Sequence, residues 1–215
     1  MAYRNSRIPV PDWKRRVELE TAWGMIRQST WGAMGGGTLP LYFDIDELFA
    51  ADYRLKDKNE GNVLSRKALV RFILNDIEQL TREQGIDSLA FIDDGEMGPV
   101  GAQWLAITIA FELNSRLLLV RPWKELVSSR IKGKPPEPGE RFLILTDVAT
   151  TGGSIIDAAQ VLDLYGASVA MAYAIVAHDD EKNFSKRAAL LEAKNINFHH
   201  WKKASELKAI KEEGI

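Results

Sequence analysis

The sequence predicts an α/β protein built on a central, mostly parallel sheet flanked by helices, and three observations carry that prediction. Short apolar, β-rich runs at 89–92, 117–120, 142–145 and 168–177 are of the kind that form strands buried on both faces. Helical periodicity over 102–113 and 154–165 separates them, which is the alternation of βαβ units. Two of the strands run directly into glycine turns, Asp93-Asp94-Gly95-Glu96-Met97-Gly98-Pro99 and Asp147-Val148-Ala149-Thr150-Thr151-Gly152-Gly153-Ser154. Ligands of such sheets bind beyond the carboxyl ends of the strands, so two glycine turns on that edge mark a site.

Composition sets the outer limits. At 215 residues the chain is one domain, or one domain with an added lobe, and its 46% hydrophobic and 27% charged residues suit a globular protein in water. No apolar run approaches the length of a membrane span, and the N-terminus lacks the apolar core of a secretory signal, so a cytoplasmic protein is expected. The absence of cysteine excludes disulfides, thiolate metal sites and thiol nucleophiles. A net charge of -2 gives no global attraction for nucleic acid, so any site for a polyanion is local.

Taken in order, the chain opens on a helix predicted from Pro11-Asp12, with Trp13, Val17, Ala22, Trp23 and Ile26 on one face and Trp31 following. Three tryptophans there point to packing against the body of the protein or a second subunit. A glycine run then leads into Tyr42-Phe43-Asp44. Ser65–Gln84 is the clearest helix, with Leu69, Val70, Ile73, Leu74, Ile77 and Leu80 as its apolar stripe, Ser65 as cap and Gly85 as stop. The acids Asp93, Asp94 and Glu96 are candidate metal ligands.

Residues 121–140 read as a long loop carrying Arg121, Lys124, Arg130, Lys132 and Lys134, the most basic stretch of an acidic chain. A cationic flap of this kind can close over a diphosphate, and a solvated charged loop is the plain alternative. The second glycine turn joins a strand to a helix through two glycines and three hydroxyls. Its backbone N–H groups and the positive end of the helix dipole form a cradle for phosphate. It contains neither G-x-x-x-x-G-K-[ST] nor G-x-G-x-x-G, so it is neither a P-loop nor a dinucleotide fingerprint. Beyond it come a strand at 168–177, His178-Asp179-Asp180, a helix at 185–194, a strand at 196–200 and a polar helix at 203–213. His199 and His200 alternate across that last strand, which makes them a poor metal pair.

The run from Phe142 to Ser154 resembles the phosphoribosyl diphosphate (PRPP) signature of type I phosphoribosyltransferases: an apolar strand, two acids, two small residues, then T-T-G-G-S. Asp147, Thr150, Thr151, Gly152, Gly153 and Ser154 match, while Thr146 replaces the first acid. Gly36, Pro40, Tyr42, Phe43 and Asp44 are similar to the hood segment of orotate phosphoribosyltransferases, although Met34, Gly37 and Thr38 stand where basic residues are common. The resemblance implies a single phosphoribosyltransferase domain over 1–215, with an N-terminal hood at 1–60, a core at 61–200 and a terminal helix at 201–215.

It implies a 5-phosphate and ribose site at Asp147, Val148, Ala149, Thr150, Thr151, Gly152, Gly153 and Ser154, and a diphosphate site at Glu96, Met97 and Gly98. Tyr42, Phe43, Thr150 and His178 would meet the base, with His178 taking the place of the family's arginine. Asp147, Arg121 and Lys124 would act in catalysis. Pro122 and Val127 replace a lysine and a histidine of the family's loop. Mg2+ would arrive bound to PRPP rather than in a site of the protein's own, and a homodimer is expected. The implied reaction is orotate plus PRPP giving orotidine 5'-monophosphate and diphosphate. The alternatives are a protein that binds PRPP or a nucleotide without turnover, and transfer to another nucleobase.

Overall fold

The computed structural model describes residues 60–93, 100–121 and 130–213, with side chains over 70–93, 102–121 and 130–209, and the backbone of four two-residue strands before residue 44. These strands form two antiparallel pairs. β1 (Ile26–Arg27) pairs with β4 (Tyr42–Phe43), and β2 (Gly32–Ala33) with β3 (Gly37–Thr38). Ile26 therefore lies in a strand and not on the helical face predicted for it, whereas Trp13, Val17, Ala22, Trp23 and Trp31 fall outside the described residues.

The main sheet has six strands: β5 (Ser88–Ile92), β6 (Arg116–Val120), β7 (Ile131–Lys132), β8 (Arg141–Ala149), β9 (Ser168–Ala177) and β10 (Asn197–Lys203). Their order is β10-β9-β8-β5-β6-β7, and every neighbouring pair is parallel except β6 with β7. The helices are α1 (Glu60–Gln84), α2 (Val100–Glu112), α3 (Gly153–Asp163), α4 (Glu181–Glu192) and α5 (Ala204–Glu213). Among the described residues, no helix is long and apolar enough to cross a membrane.

Strand alternation divides the core between the two faces of the sheet. Leu143 and Leu145 of β8 face one way and pack with Leu89, Phe91, Met171 and Tyr173 beneath Ile73 and Ile77 of α1, Leu105 and Ile109 of α2, and Leu207 of α5. Phe142 and Ile144 face the other way, against Ile155, Ala158, Val161 and Leu162 of α3 and Leu191 of α4. A strand apolar on both sides belongs at the centre of such a sandwich, and truncating Phe142, wholly buried, would cost about 3–5 kcal/mol. Tyr173 reaches across from β9 to donate its hydroxyl to Asp76 Oδ2 of α1 at 3.0 Å.

Several element limits differ from those expected. α1 begins at Glu60 rather than Ser65, and stops where Gly85, at φ +57°, lets Ile86 N–H donate back to the Thr81 carbonyl at 2.9 Å. α4 begins at Glu181 because Asp180 caps it, accepting from Asn183 N–H at 3.2 Å. The basic loop is shorter than 121–140. β7 returns the chain to the sheet, and Arg116 holds the next segment through the Lys134 and Pro135 carbonyls and the Glu140 carboxylate. Lys134 pairs with Glu137 at 2.5 Å.

Candidate functional site

The path of the chain fixes where a ligand can enter. From β5 it passes through α2, on one face, to β6 on one side; later it reaches β8, on the other side of β5, and continues into α3 on the opposite face. The strand order reverses between β5 and β8, and at such a switch point the loops part and leave a crevice beyond the carboxyl ends. The two glycine turns recognised in the sequence follow these two strands.

On the β8 side, the strand runs further than the apolar stretch suggests. Thr146, Val148 and Ala149 pair with Ala174, Val176 and Ala177 of β9, so Asp147, Val148 and Ala149 belong to the strand and not to the loop. β9 is apolar for its whole length and carries its neighbour past the polar break at Thr146-Asp147. Asp147 Oδ1 accepts from Val148 N–H at 2.6 Å and from the Thr146 hydroxyl at 3.3 Å. The buried threonine standing in place of an acid thus supports the carboxylate beside it.

The connecting loop is reduced to Thr150, Thr151 and Gly152. Gly152 caps α3 in the left-handed region, at φ +77° and ψ 5°, with no side-chain cap. Ser154 lies inside the first turn and does not serve as the cap. The first amides of an α-helix have no intrahelical acceptor, so this end offers a run of N–H donors and the positive pole of the helix. Beneath the loop lies Arg187 of α4, 4% exposed, whose Nη1 donates to the carbonyls of Thr150 at 2.6 Å, His178 at 2.8 Å and Ala149 at 3.2 Å. The sequence reading passed over this residue, since one arginine on an amphipathic helix reads as solvated surface.

On the β5 side, Asp93, 1% exposed, follows the strand, and its carboxylate meets Lys132 Nζ at 2.7 Å, Gln103 Nε2 at 3.1 Å and Arg121 Nε at 3.3 Å. Asp93 is therefore the hub of a cationic cluster, where the sequence suggested a metal ligand. Lys132 is part of that hub and not of a mobile flap. Arg121 N–H also donates to the Arg130 carbonyl at 2.8 Å, which brings together the two described residues that flank 122–129.

His178, expected at the base, is buried at the end of β9, where its backbone N–H donates to the Ala149 carbonyl at 2.9 Å. Burial pushes its pKa below the usual 6.5, against the pull of Asp180, so it is a neutral imidazole and does not supply the positive charge expected of it. Tyr42 and Phe43 lie in β4, with side chains outside the described residues. Glu96, Met97, Gly98 and Lys124 also lie outside them, as do Asp94, Pro122 and Val127. Asp147, Thr150, Gly152, Gly153, Arg121 and His178 all stand at the carboxyl edge of one sheet.

Comparison with known proteins agrees with this geometry. The orotate phosphoribosyltransferase of Aeropyrum pernix superposes with a TM-score of 0.62 over 92% of this chain and 98% of its own, at 22% identity. An adenine phosphoribosyltransferase gives 0.59 over 86% and 99%, at 17% identity. The fold is that of the phosphoribosyltransferases. No family model matches the sequence. Among curated proteins, the orotate phosphoribosyltransferase of Pyrococcus abyssi is 30% identical over 121 residues, 55% of this chain and 64% of that one. That of Pyrococcus furiosus is 34% identical over 55% and 63%. This phosphoribosyltransferase-fold chain is thus related in sequence to orotate phosphoribosyltransferases and aligns with just under two thirds of the length of those two relatives.

Proposed function

We propose that the protein transfers the phosphoribosyl group of PRPP to a nucleobase, with orotate as the first candidate and orotidine 5'-monophosphate and diphosphate as the products. The observation that carries this reading is the pairing of a carboxylate, Asp147, with a glycine-capped helix start, Thr150–Gly153, at the switch point of the sheet. The amides of that loop suit the 5-phosphate, and Asp147 suits the ribose hydroxyls. The nitrogen lone pair of the base attacks C1 as the bond from C1 to the diphosphate oxygen breaks, the electron pair leaves with the diphosphate, and the proton of the attacking nitrogen passes to the departing diphosphate or to water. Asp147 would stabilise the positive charge that develops on the sugar, and the cationic cluster around Asp93 would stabilise the leaving group. No covalent nucleophile is needed.

The donor chemistry fits a Mg2+ carried in on the substrate. Mg2+ is commonly held by one or two carboxylates plus substrate phosphates, and Asp93 is already engaged by Arg121 and Lys132. When bound, it would neutralise charge on the diphosphate. We further infer a cytoplasmic homodimer, because in orotate phosphoribosyltransferases the flap reaches into the neighbouring subunit's site.

A second reading, transfer to a base that bears no carboxylate, is favoured by the buried, neutral His178. The deciding experiment follows the absorbance of orotate after PRPP and Mg2+ are added, with adenine and other purines assayed in parallel. Turnover of orotate supports the first reading. Turnover of a purine alone moves the assignment to the second, and PRPP binding without turnover of any base leaves a sensor.

A further inference from the structure

We propose that Arg187 is a positioning residue that aims the amides of the phosphate loop from behind, an inference that rests on the 5-phosphate site assigned above. A trans peptide is planar, with its C=O and N–H pointing in opposite directions, and none of the described peptides is cis. Holding the Thr150 carbonyl against Arg187 therefore turns the Thr151 N–H away from it, toward the crevice. The Ala149 carbonyl does the same for the Thr150 N–H.

One guanidinium thus holds the Thr150 plane, shares the Ala149 plane with the His178 backbone N–H, and ties both to β9 through the His178 carbonyl. Gly152 leaves room for this contact, since a Cβ there would meet Arg187 Cγ at 3.1 Å. Asp179 and Asp180 act on the cation at longer range, and aromatic rings meet it directly. Phe198 lies under it, 4.8 Å from ring centre to guanidinium carbon, and Phe184 lies at 6.0 Å. Its charge remains available behind the loop, where it adds to the pole of α3 in attracting a phosphate.

The far side of Arg187 opens on a groove of about 550 Å3 between α4 and β10, lined also by Phe184, Leu191, Phe198, His200 and Lys203. A small cation can reach the arginine's place through that groove, which makes chemical rescue possible.

The test compares the full-length protein with Arg187→Ala and Arg187→Lys, reading ribose 5-phosphate binding by calorimetry, KM for PRPP and for the base, and melting temperature. Arg187→Ala should weaken ribose 5-phosphate binding and raise KM for PRPP by about tenfold, with KM for the base nearly unchanged. Millimolar guanidinium, and not ammonium at equal ionic strength, should restore most of the loss. Arg187→Lys keeps the charge and loses the fork, so it should retain part of the affinity. A merely stabilising arginine would lower the melting temperature without a selective effect on PRPP and without rescue; that result would overturn the proposal, as would wild-type affinity in either folded variant. Where the alanine variant does not fold, the lysine variant decides by the same split of KM values. A wild-type chain that binds neither ribose 5-phosphate nor PRPP would refute the assigned function itself.

Discussion

Two buried charges stand on either side of the switch point, and they are satisfied in different ways. Asp93 is a buried anion met by full charges, Arg121 and Lys132, with Gln103 as a third donor. Arg187 is a buried cation met by carbonyl dipoles and aromatic faces. The first arrangement gathers side chains and concentrates positive charge beside the position proposed for the diphosphate. The second orients a backbone and leaves its amides in register for a phosphate. On the proposed function, a ligand with two phosphate groups would meet side-chain charge at one end and fixed dipoles at the other, and the two sides should fail differently when altered.

The largest effect is expected between them, at Asp147. Asp147→Asn retains the size of the group and removes the charge that would stabilise the cationic sugar, so kcat should fall by about a hundredfold or more in the orotate assay. PRPP affinity should weaken as well. An unchanged rate and an unchanged PRPP titration would remove Asp147 from the chemistry and the comparison of its two flanks with it.

Asp93→Asn tests the side built on charge. The substitution leaves Arg121 and Lys132 close together without their shared carboxylate. Removing one partner of a wholly buried pair costs about 3–5 kcal/mol, and Lys132, with a side chain 49% exposed, lowers that figure through solvent screening to about 2 kcal/mol by urea denaturation. KM for PRPP should rise while binding of ribose 5-phosphate, which has no diphosphate, stays near wild type. Equal losses for the two ligands would show that the cluster at Asp93 does not act on the diphosphate end alone.

Gly152→Ala tests the side built on dipoles, with a smaller expected cost. An added Cβ must tolerate φ +77° and a 3.1 Å approach to Arg187 Cγ, which together cost about 1–2 kcal/mol. Ribose 5-phosphate binding should weaken, the reverse of the pattern at Asp93. A variant of unchanged stability and affinity would show that the loop does not need its left-handed corner.

The two sides also differ in how far the sequence disclosed them. The second glycine turn, the central strands and α1 were legible because period, apolar runs and turn chemistry are local signals. Asp147 stood out for the same reason, directly after a strand and before T-T-G-G-S. The partners of Asp93 were not legible: its bond to Arg121 spans 28 positions, and Lys132 read as part of a basic loop until β7 placed it. Arg187 was hidden further, because its partners are backbone carbonyls, which carry no signal in the sequence. The extension of β8 to Ala149 was missed because pairing with β9 outweighs the polar Thr146-Asp147 break.

The smallest predicted effect concerns pH, and it belongs to the Arg187 side. Burial lowers the pKa of His178 at the end of β9 and of His200 on the groove below the usual 6.5, so the folded chain holds both as neutral rings. At pH above 6.5 neither state of the chain binds the protons, and the stability of this side is complete. As the pH falls through 6.5, the unfolded chain protonates first and the folded chain follows only at lower pH, so stability drops across that interval. Urea denaturation at pH 7.5 and 5.5 measures the drop, and the double variant His178→Asn, His200→Gln should show less of it than the wild type, whatever its absolute stability. An identical drop in both proteins would move the pH sensitivity elsewhere and leave the arginine side as insensitive to protons as a framework of dipoles and rings alone would be.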